Sequence, residues 1–367
     1  MIAALLAAVL TASAVGVAAP AATENAAVPL RAGPACDAVA RAGFTGHVLI
    51  ARGDTVLVDT DVPCPPGKPQ GEPSMACDQL HAPGDAIWPW ASVTKQVVAI
   101  LTMQQVEAGR LALDAPASRY LPALSKRVPS PTVRQLLQHR AGLRNPDDTT
   151  PDADGMPSFY AQARGQLDWC LARRGAAGGA WSYNNCDYIV LDAVLKRATG
   201  QSAAQLFAGR IAAPLGLRTA RLLPPGGGTP APFLQGGGDA RVLAGFGAAG
   251  ALVGTPRELL AVDRALAGGR LLGKDALAEL WRGDPSLGYM ALGQWAFGAP
   301  LKGCAAPVRI VERRGAIGST QVRNLILPDR DIVVALFTGQ PGDAFDFGEI
   351  WQGKGFVHDL LSKVACA

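Results

Sequence analysis

The chain has few of the residues that metal and redox chemistry require. Its 367 residues include only four histidines, and no H-E-x-x-H or other metal-ligand spacing occurs. Seven cysteines are present, but no two of them form a C-x-x-C. These absences argue against a zinc enzyme, and we expect a protein that uses no metal and no cofactor.

The sequence also has no long charged block and few aromatic residues. The formal net charge is +4, and aromatic residues make up 6% of the chain. A nucleic-acid platform needs aromatic side chains interleaved with Arg and Lys, which this chain does not have. No G-x-S-x-G occurs, which argues against an α/β-hydrolase. Hydrophobic residues are plentiful at 49%, enough for a large core.

The first 21 residues form an apolar stretch rich in Ala, Leu and Val that ends in Ala19-Pro20-Ala21. A small-x-small ending is typical of a signal-peptide cleavage site. No Lys or Arg precedes the run, so an uncleaved N-terminal anchor is the alternative. Because the stretch is short for crossing a bilayer, we predict a signal peptide over 1–21, a periplasmic or secreted protein, and no stable membrane span in the mature chain.

All seven cysteines follow this stretch, which suits disulfides in an oxidising compartment. Because seven is odd, at least one cysteine has no partner within the chain. Cys64 and Cys77 bracket a Pro- and Gly-rich loop, and Cys170 and Cys186 bracket another short segment. We predict these two local pairings, with buried free thiols as the alternative.

Strand-like segments lie near both ends of the chain, and helix-like segments lie between them. Residues 46–52 and 55–59 are predicted to form a hairpin, and two apolar runs, 322–327 and 332–338, are predicted strands near the other end. Residues 111–245 consist mainly of short helices broken by Gly and Pro.

This pattern predicts an α/β (α+β) fold. We expect an antiparallel sheet built from both chain ends and flanked by helices, with an inserted, mainly helical lobe at about 111–245. The predicted organisation after the signal peptide is a linker over 22–40 and a single domain over 41–367.

The most informative motif is Ser92-Val-Thr-Lys95, an S-x-x-K at a predicted helix start. Three residues apart on a helix, the Ser and Lys side chains lie on one face. The Lys ammonium can lower the cost of forming a serine alkoxide, or a neutral amine can take the proton itself. Taken alone, Ser92 can equally be a helix N-cap, because S-x-x-K arises by chance about once in a chain of this length.

Two further segments support the motif. Tyr183 and Asn185 form a Y-x-N in a loop that leads into an apolar-periodic helix starting near Cys186. Arg313-Arg314-Gly315-Ala316 precedes the strand-like C-terminal runs, and a glycine beside a strand lets a substrate approach the backbone. A buried aromatic for Tyr183 and an N-cap for Asn185 are the alternative interpretations.

Together these segments resemble the penicilloyl-serine hydrolase superfamily, specifically the class C β-lactamase branch with its D-alanyl carboxypeptidases, D-aminopeptidases and esterases. The resemblance spans roughly 46–339. Beyond the two catalytic motifs, it includes three non-catalytic stretches: Val133–Leu143, Gly250–Leu260 and Leu325–Asp329. It implies a β-lactamase/transpeptidase-like fold.

The resemblance implies a role for each site residue. Ser92 would be the nucleophile, Lys95 and Tyr183 would share the general-base and general-acid work, and Asn185 would orient Lys95 and the substrate amide. The oxyanion hole would be formed by the backbone N–H groups of Ser92 and Ala316. His139 belongs to a stretch that is structural in the family, and Trp88 and Trp90 are predicted either to line the pocket mouth or to pack in the core.

The third motif departs from the family, which usually has Lys-Thr-Gly or His-x-Gly where this chain has Arg313-Arg314-Gly315. Arg313 can hold a substrate carboxylate or support a Tyr183 phenolate, but it cannot shuttle a proton. Arg314 would face the opposite side of the strand. A one-residue slip of the alignment, with Arg314 in the site, is the alternative.

The sequence therefore predicts an exported serine hydrolase that forms an acyl-enzyme through Ser92. Its substrates would be small molecules or peptides, with esters or D-amino-acid peptides favoured over β-lactams because of the altered third motif. The alternative is a non-catalytic binding module of the same fold that captures cell-wall peptide or an acidic ligand.

Overall fold

The computed structural model describes residues 34–62, 86–125, 129–153, 155–161, 165–172, 175–224 and 240–366. The predicted signal peptide, most of the predicted linker and the predicted Cys64–Cys77 pairing lie outside these residues. The division of the chain into signal peptide, linker and single domain stays a prediction.

The centre of the fold is a six-stranded antiparallel sheet in the order β2-β1-β9-β8-β7-β6. Its strands come from both ends of the described chain, which confirms the predicted fold. They are β1 (Gly46–Arg52), β2 (Thr55–Val62), β6 (Trp295–Ala299), β7 (Val308–Ile317), β8 (Thr320–Leu327) and β9 (Ile332–Thr338). A small second sheet, which was not predicted, has the order β3-β5-β4 and consists of β3 (Trp88–Pro89), β4 (Arg221–Leu222) and β5 (Leu252–Gly254).

The main sheet is covered on both faces, because alternate residues of a strand point to opposite sides. In β9, Val333, Ala335 and Phe337 belong to the larger apolar cluster, whereas Val334 and Leu336 belong to a smaller one. The central strands therefore consist of nearly continuous apolar residues, and all seven residues of β9 are buried.

Helices cover both faces of the sheet. Helix α1 (Pro34–Arg41) and the C-terminal helix α11 (Phe356–Ala365) contact each other beside the smaller apolar cluster. The remaining helices lie between β3 and β6 in sequence: α2 (Thr94–Glu107), α3 (Val133–Leu137), α4 (Gln166–Ala172), α5 (Asn185–Thr199), α6 (Ala203–Phe207), α7 (Ala213–Leu215), α8 (Ala240–Gly245), α9 (Pro256–Ala267) and α10 (Lys274–Leu280).

Two helix starts position the candidate site. Helix α2 follows a 3-10 turn over Ala91–Val93. It is almost completely buried and packs in the larger apolar cluster. Helix α5 is capped by Asn184, whose side chain accepts a hydrogen bond from the backbone N–H of Cys186. The alternative interpretation of Asn185 as the N-cap is therefore wrong, because the cap lies one residue earlier and Asn185 is the first helical residue.

Two disulfides join described residues. The predicted pairing of Cys170 with Cys186 is confirmed, and it ties α4 to the start of α5 with a Cα–Cα distance of 5.4 Å. Cys304 pairs with Cys366 across 62 residues and holds the end of α11 against the loop before β7, a pairing that the sequence did not predict. None of the described helices is both long and apolar enough to traverse a bilayer.

Candidate active site

The structure brings three predicted catalytic groups into contact. Ser92 Oγ lies 2.5 Å from Tyr183 Oη, and Lys95 Nζ lies 3.0 Å from Ser92 Oγ and 2.6 Å from Tyr183 Oη. Ser92 and Tyr183 are partly exposed, whereas Lys95 is completely buried. A hydroxyl that solvent can reach is therefore backed by an amine that solvent cannot reach.

Local backbone geometry presents the serine. Ser92 is in the 3-10 turn and Lys95 is in the first turn of α2, so both side chains leave the same face of one continuous helical stretch. Ala91, the residue before the serine, has a φ of 48°, in the left-handed region that residues with a Cβ rarely adopt. Such a residue costs of the order of 1 kcal/mol and persists only where the packing around it holds it.

Lys95 Nζ has two further partners that can only accept hydrogen bonds. It donates to Asn185 Oδ1 at 2.6 Å and to the backbone carbonyl of Ala249 at 2.7 Å. A neutral amine has two N–H donors and one lone pair, and these two oxygens take both donors. The lone pair of a neutral Lys95 would then face the hydroxyls of Ser92 and Tyr183, which is the orientation that a general base requires.

The electrostatics of the site favour that neutral amine. Burial, with the Arg313 guanidinium as a second cause, lowers the pKa of Lys95 well below its usual value. Burial raises the pKa of Tyr183, although Arg313 and the hydrogen bond with Ser92 oppose this shift. The arrangement therefore favours a neutral phenol beside a neutral amine, with Lys95 as the stronger base of the pair.

Asn185 is held in one amide orientation. Its Nδ2 donates to Tyr160 Oη at 2.7 Å, and the Tyr160 hydroxyl in turn donates to Asp147 Oδ1. Tyr160 is buried, and its ring stacks on Phe246 with centroids 3.6 Å apart. Because Nδ2 is engaged on that side, Oδ1 is left facing Lys95.

Arg313 lies in the site, with a side chain that is only 1% exposed. Its Nε donates to the backbone carbonyl of Ser92 at 2.8 Å, and its Nη2 donates to Tyr183 Oη at 3.4 Å. Its guanidinium also lies over the Tyr183 ring, 5.7 Å from the centroid. Of the two predicted uses of Arg313, this geometry favours support of Tyr183, because a buried guanidinium with these partners offers little surface to a substrate carboxylate.

Arg314 points away from this network. It forms ion pairs with Glu312 and Glu349 and stacks over the Trp351 ring at 4.8 Å. The slipped alignment, which would place Arg314 in the site instead of Arg313, is therefore wrong.

Gly315 lets β7 lie directly against the serine turn. A Cβ on Gly315 would lie 2.7 Å from the Trp90 carbonyl oxygen and 3.2 Å from the Ser92 nitrogen, too close for any other residue without backbone movement. Ala316 follows it, is exposed and pairs with Gln321 of β8. The strand that would supply an oxyanion donor is thus adjacent to the nucleophile.

His139 lies beneath Tyr183 as a buried support. Its ring centroid is 4.7 Å from that of Tyr183, and its Nδ1 lies 3.1 Å from the Asn184 carbonyl oxygen and 3.3 Å from an oxygen of Asp187. Burial, followed by the charges of Arg313 and Lys95, lowers the pKa of His139 well below its usual value. Contacts with a ring and a loop carbonyl agree with the structural role predicted for this histidine.

Several neighbours of the site were not predicted from the sequence. One of them is Trp181, which is 36% exposed and lies 6.5 Å from the Tyr183 ring and 6.2 Å from the Trp295 ring. Trp88 and Trp90, by contrast, had two predicted positions, and both are buried in the core. Asp147, Tyr160 and the Ala249 carbonyl were also missed. Within the described ranges, no group of three or more His, Cys, Asp or Glu side chains is arranged to hold a metal ion.

Comparisons with known proteins agree with the geometry. A family model described as Beta-lactamase matches residues 37–356. Esterase EstB of Burkholderia gladioli is 35% identical over 149 residues, which cover 36% of this chain and 38% of the esterase. A D-aminopeptidase of Cereibacter sphaeroides is 28% identical over 145 residues, which cover 36% of this chain and 26% of the aminopeptidase. The chain matches less than half the length of either curated relative.

The fold also matches solved structures. A crystal structure of SurE with D-Leu superposes with a TM-score of 0.64 and 25% sequence identity over 90% of this chain and 74% of SurE. The family match covers most of the chain, and the S-x-x-K and Y-x-N residues that suggested the family meet in one site. The chain therefore belongs to the beta-lactamase family.

Proposed function

We propose that the protein is an exported serine hydrolase that forms an acyl-enzyme through Ser92 and acts on an ester or amide. The observation that carries this proposal is the contact of three groups: Ser92 Oγ lies 2.5 Å from Tyr183 Oη and 3.0 Å from Lys95 Nζ. A nucleophile within hydrogen-bond distance of a base, with the base oriented by a third group, is the arrangement that covalent catalysis needs. The esterase and D-aminopeptidase names of the relatives support the choice of reaction.

In the acylation step, neutral Lys95 takes the Ser92 hydroxyl proton, directly or through the Tyr183 hydroxyl. The Ser92 oxygen then bonds to the substrate carbonyl carbon, and the developing oxyanion is stabilised by the N–H groups of Ser92 and Ala316. When the intermediate collapses, the bond to the leaving group breaks, and Lys95 returns its proton to that group through Tyr183. The site is left as an ester of Ser92 with Lys95 neutral again.

Deacylation uses the same groups with water as the nucleophile. Lys95 removes a proton from the water, the hydroxyl oxygen bonds to the acyl carbon, and the Ser92 oxygen leaves and regains the proton.

Asn185 and Arg313 contribute as binding and orienting groups. Asn185 orients the Lys95 amine and, through it, the reacting groups. The fixed charge of Arg313 keeps Lys95 in its neutral, basic form and partly stabilises negative charge on Tyr183.

Export is part of the proposal because two disulfides join described residues, and disulfides persist mainly in oxidising compartments. We favour esters and amino-acid or peptide amides over β-lactams as substrates. Arg313 is buried against Ser92 and Tyr183, so the carboxylate that β-lactams carry has no exposed partner at the third motif.

The proposal is tested by active-site labelling with a fluorophosphonate and a labelled penicillin, read by mass spectrometry. We expect a covalent adduct on Ser92 that is absent in Ser92→Ala, whose hydrolysis of p-nitrophenyl acetate should fall at least about 1,000-fold. Ser182→Ala, which removes an exposed serine hydroxyl beside Tyr183, serves as the matched control and should keep the adduct.

An adduct on another residue, or the same labelling in Ser92→Ala, would overturn the assignment of Ser92. Ligand binding that survives Ser92→Ala, with no turnover by the parent protein, would instead indicate the non-catalytic binding module.

A further inference from the structure

Two indoles meet beside the third motif, one from the helical lobe and one from the sheet. Trp181 lies in the loop between α4 and α5, and Trp295 is the first residue of β6. Their ring centroids are 6.2 Å apart, within the range of a favourable aromatic pair. Trp181 is 36% exposed and Trp295 is half-buried, so both rings reach the surface.

The guanidinium of Arg313 lies against these aromatic rings. Its Cζ is 5.4 Å from the centroid of the Trp295 ring and 5.7 Å from that of the Tyr183 ring. Trp181 completes the group, because its ring centroid is 6.5 Å from that of Tyr183. Arg313 is only 1% exposed, although all three rings are partly exposed. A buried charge is thus covered by rings that themselves reach the surface.

One donor of the covered guanidinium has no acceptor. Nε donates to the Ser92 carbonyl and Nη2 donates to Tyr183 Oη, whereas Nη1 is buried and has no hydrogen-bond partner among the described residues. Buried polar groups are nearly always hydrogen-bonded, so an unpaired donor here is unusual. A carboxylate is the acceptor that a guanidinium binds best. Arg313 therefore keeps a donor that suits an anion, beneath aromatic rings that keep an anion out.

The leaving group is the part of the substrate that lies next to Arg313. In the proposed mechanism, the Tyr183 hydroxyl passes a proton to the leaving group, which must therefore come within hydrogen-bond distance of Tyr183 Oη. Arg313 Nη2 lies 3.4 Å from this oxygen, and Ser92 Oγ lies 2.5 Å from it. A carboxylate on the leaving group would pair with the guanidinium if that group were open.

We propose that Trp181 and Trp295 form an aromatic cover that closes Arg313 to substrates, so that the protein selects esters and amides with a neutral leaving group over those whose leaving group carries a carboxylate. This inference rests on the proposed hydrolase function and specifies its substrate class. The face of an aromatic ring is partly negative, so the indoles attract the guanidinium and repel a carboxylate. A carboxylate outside the cover loses water without gaining an ion pair.

The test compares two esters that differ only in the charge of the leaving group. They are 3-carboxyphenyl acetate and its methyl ester, 3-(methoxycarbonyl)phenyl acetate, assayed near pH 7, where the carboxyl group is ionised. In the wild-type protein, we expect the charged ester to have the lower kcat/KM. Trp295→Ala and Trp181→Ala should each raise the ratio of charged to neutral ester by about 10- to 100-fold, as for one hydrogen bond to a charged group. Intrinsic differences in reactivity cancel, because every variant is assayed with the same pair.

Three further variants separate the cover from a general effect of losing an indole. Trp351→Ala is the matched control, because Trp351 is 52% exposed and lies under the Arg314 guanidinium instead, so the ratio should not change. Trp295→Phe keeps a ring over Arg313 and should keep the low ratio. Adding Arg313→Gln to Trp295→Ala should abolish the gain, because the cation that would bind the carboxylate is gone.

A ratio that stays unchanged in both indole variants would overturn the inference, and so would a gain that persists with Arg313→Gln. The proposed function fails separately. If Ser92 is labelled and p-nitrophenyl acetate is hydrolysed while the indole variants leave the ratio unchanged, the hydrolase stands and the aromatic cover does not. If neither labelling nor hydrolysis of any ester is seen, both proposals fall.

Discussion

Lys95 and Gln96 are neighbours in α2, both are buried, and each forms part of a different buried polar cluster. The Lys95 cluster reaches Ser92 and Tyr183, which are partly exposed. The Gln96 cluster is closed: Gln96 Nε2 donates to Asp263 Oδ1 at 2.6 Å, and Asn324 Nδ2 donates to Gln96 Oε1 at 3.2 Å. Adjacent helix positions therefore carry one side chain that contacts partly exposed hydroxyls and one whose hydrogen-bond partners are buried.

A shifted pKa does not by itself mark a functional residue, as these two clusters show. Burial raises the pKa of Asp263 to about 7, in the range where a general base would be effective. Asp263 is nevertheless completely buried, and its Oδ1 accepts a hydrogen bond from Gln96, a buried amide that in turn accepts from Asn324. Lys95 also has a shifted pKa, but its amine contacts a hydroxyl that a substrate can reach. What separates the two clusters is access and the presence of a nucleophile.

The largest expected effect comes from changing the two neighbours to the same residue. Lys95→Met should lower kcat/KM for ester hydrolysis at least about 1,000-fold, because it removes the amine that we propose as the base for Ser92. Gln96→Met should leave kcat/KM within about threefold but lower the free energy of unfolding by about 1–3 kcal/mol, since Asp263 and Asn324 lose their partner. Steady-state kinetics and urea unfolding of both variants measure these effects. If Gln96→Met were the variant that lost catalysis in a fully folded protein, the division between the clusters would be wrong.

A smaller effect, on stability, should appear at Asp263. Its pKa is about 7 in the folded protein and near 3.8 when unfolded, so the folded state holds the proton more tightly. The wild type must therefore lose stability as pH rises from about 4 through 7, by roughly 2–3 kcal/mol between pH 5 and pH 9. Asp263→Asn cannot ionise. We therefore expect the free energy of unfolding of Asp263→Asn minus that of the wild type to increase by roughly 2–3 kcal/mol between pH 5 and pH 9.

Urea unfolding of the wild type and of Asp263→Asn at the two pH values measures this difference. Asp148→Asn, which changes an exposed carboxylate in the same way, should show no such pH dependence relative to the wild type. An Asp263→Asn variant with the same pH profile as the wild type would mean that Asp263 ionises freely in the folded protein.

The sequence predicted those parts of the site whose chemistry resides in residue type and short spacing. Ser92 and Lys95 are three residues apart on one helix, and Tyr183 and Asn185 are two apart, so each pair is constrained locally. The antiparallel sheet from both chain ends was predictable for a similar reason, since the apolar runs that form it are short and bounded by turns.

The remaining features depend on contacts between distant segments. The contact of Lys95 with Ala249 is made by a backbone carbonyl, which no residue type indicates. Asp147 and Tyr160 lie 38 and 25 residues before Asn185, and only the folded chain brings them into contact with it. Arg313 had two chemically reasonable uses, and only its burial against the Ser92 carbonyl, which the sequence does not reveal, favours support of Tyr183. The pairing of Cys304 with Cys366 likewise depends on where α11 ends.

The smallest expected effect, on kcat, concerns the orientation of the Asn185 amide. Tyr160 holds this amide in place although no hydrogen bond joins Tyr160 to Lys95. Tyr160→Phe removes the hydroxyl that accepts from Asn185 Nδ2, so the amide can turn its Nδ2 towards the amine. A donor facing Lys95 Nζ would compete for the lone pair, and we expect kcat to fall about 10-fold with KM little changed.

Tyr188→Phe is the matched control, because it also removes a buried hydroxyl, here bonded to the Leu137 carbonyl at 2.9 Å. Both variants should lose similar stability, measured by thermal unfolding, but only Tyr160→Phe should lose kcat. An equal loss of kcat in both would show that the Tyr160 hydroxyl contributes packing and stability rather than orientation of the base.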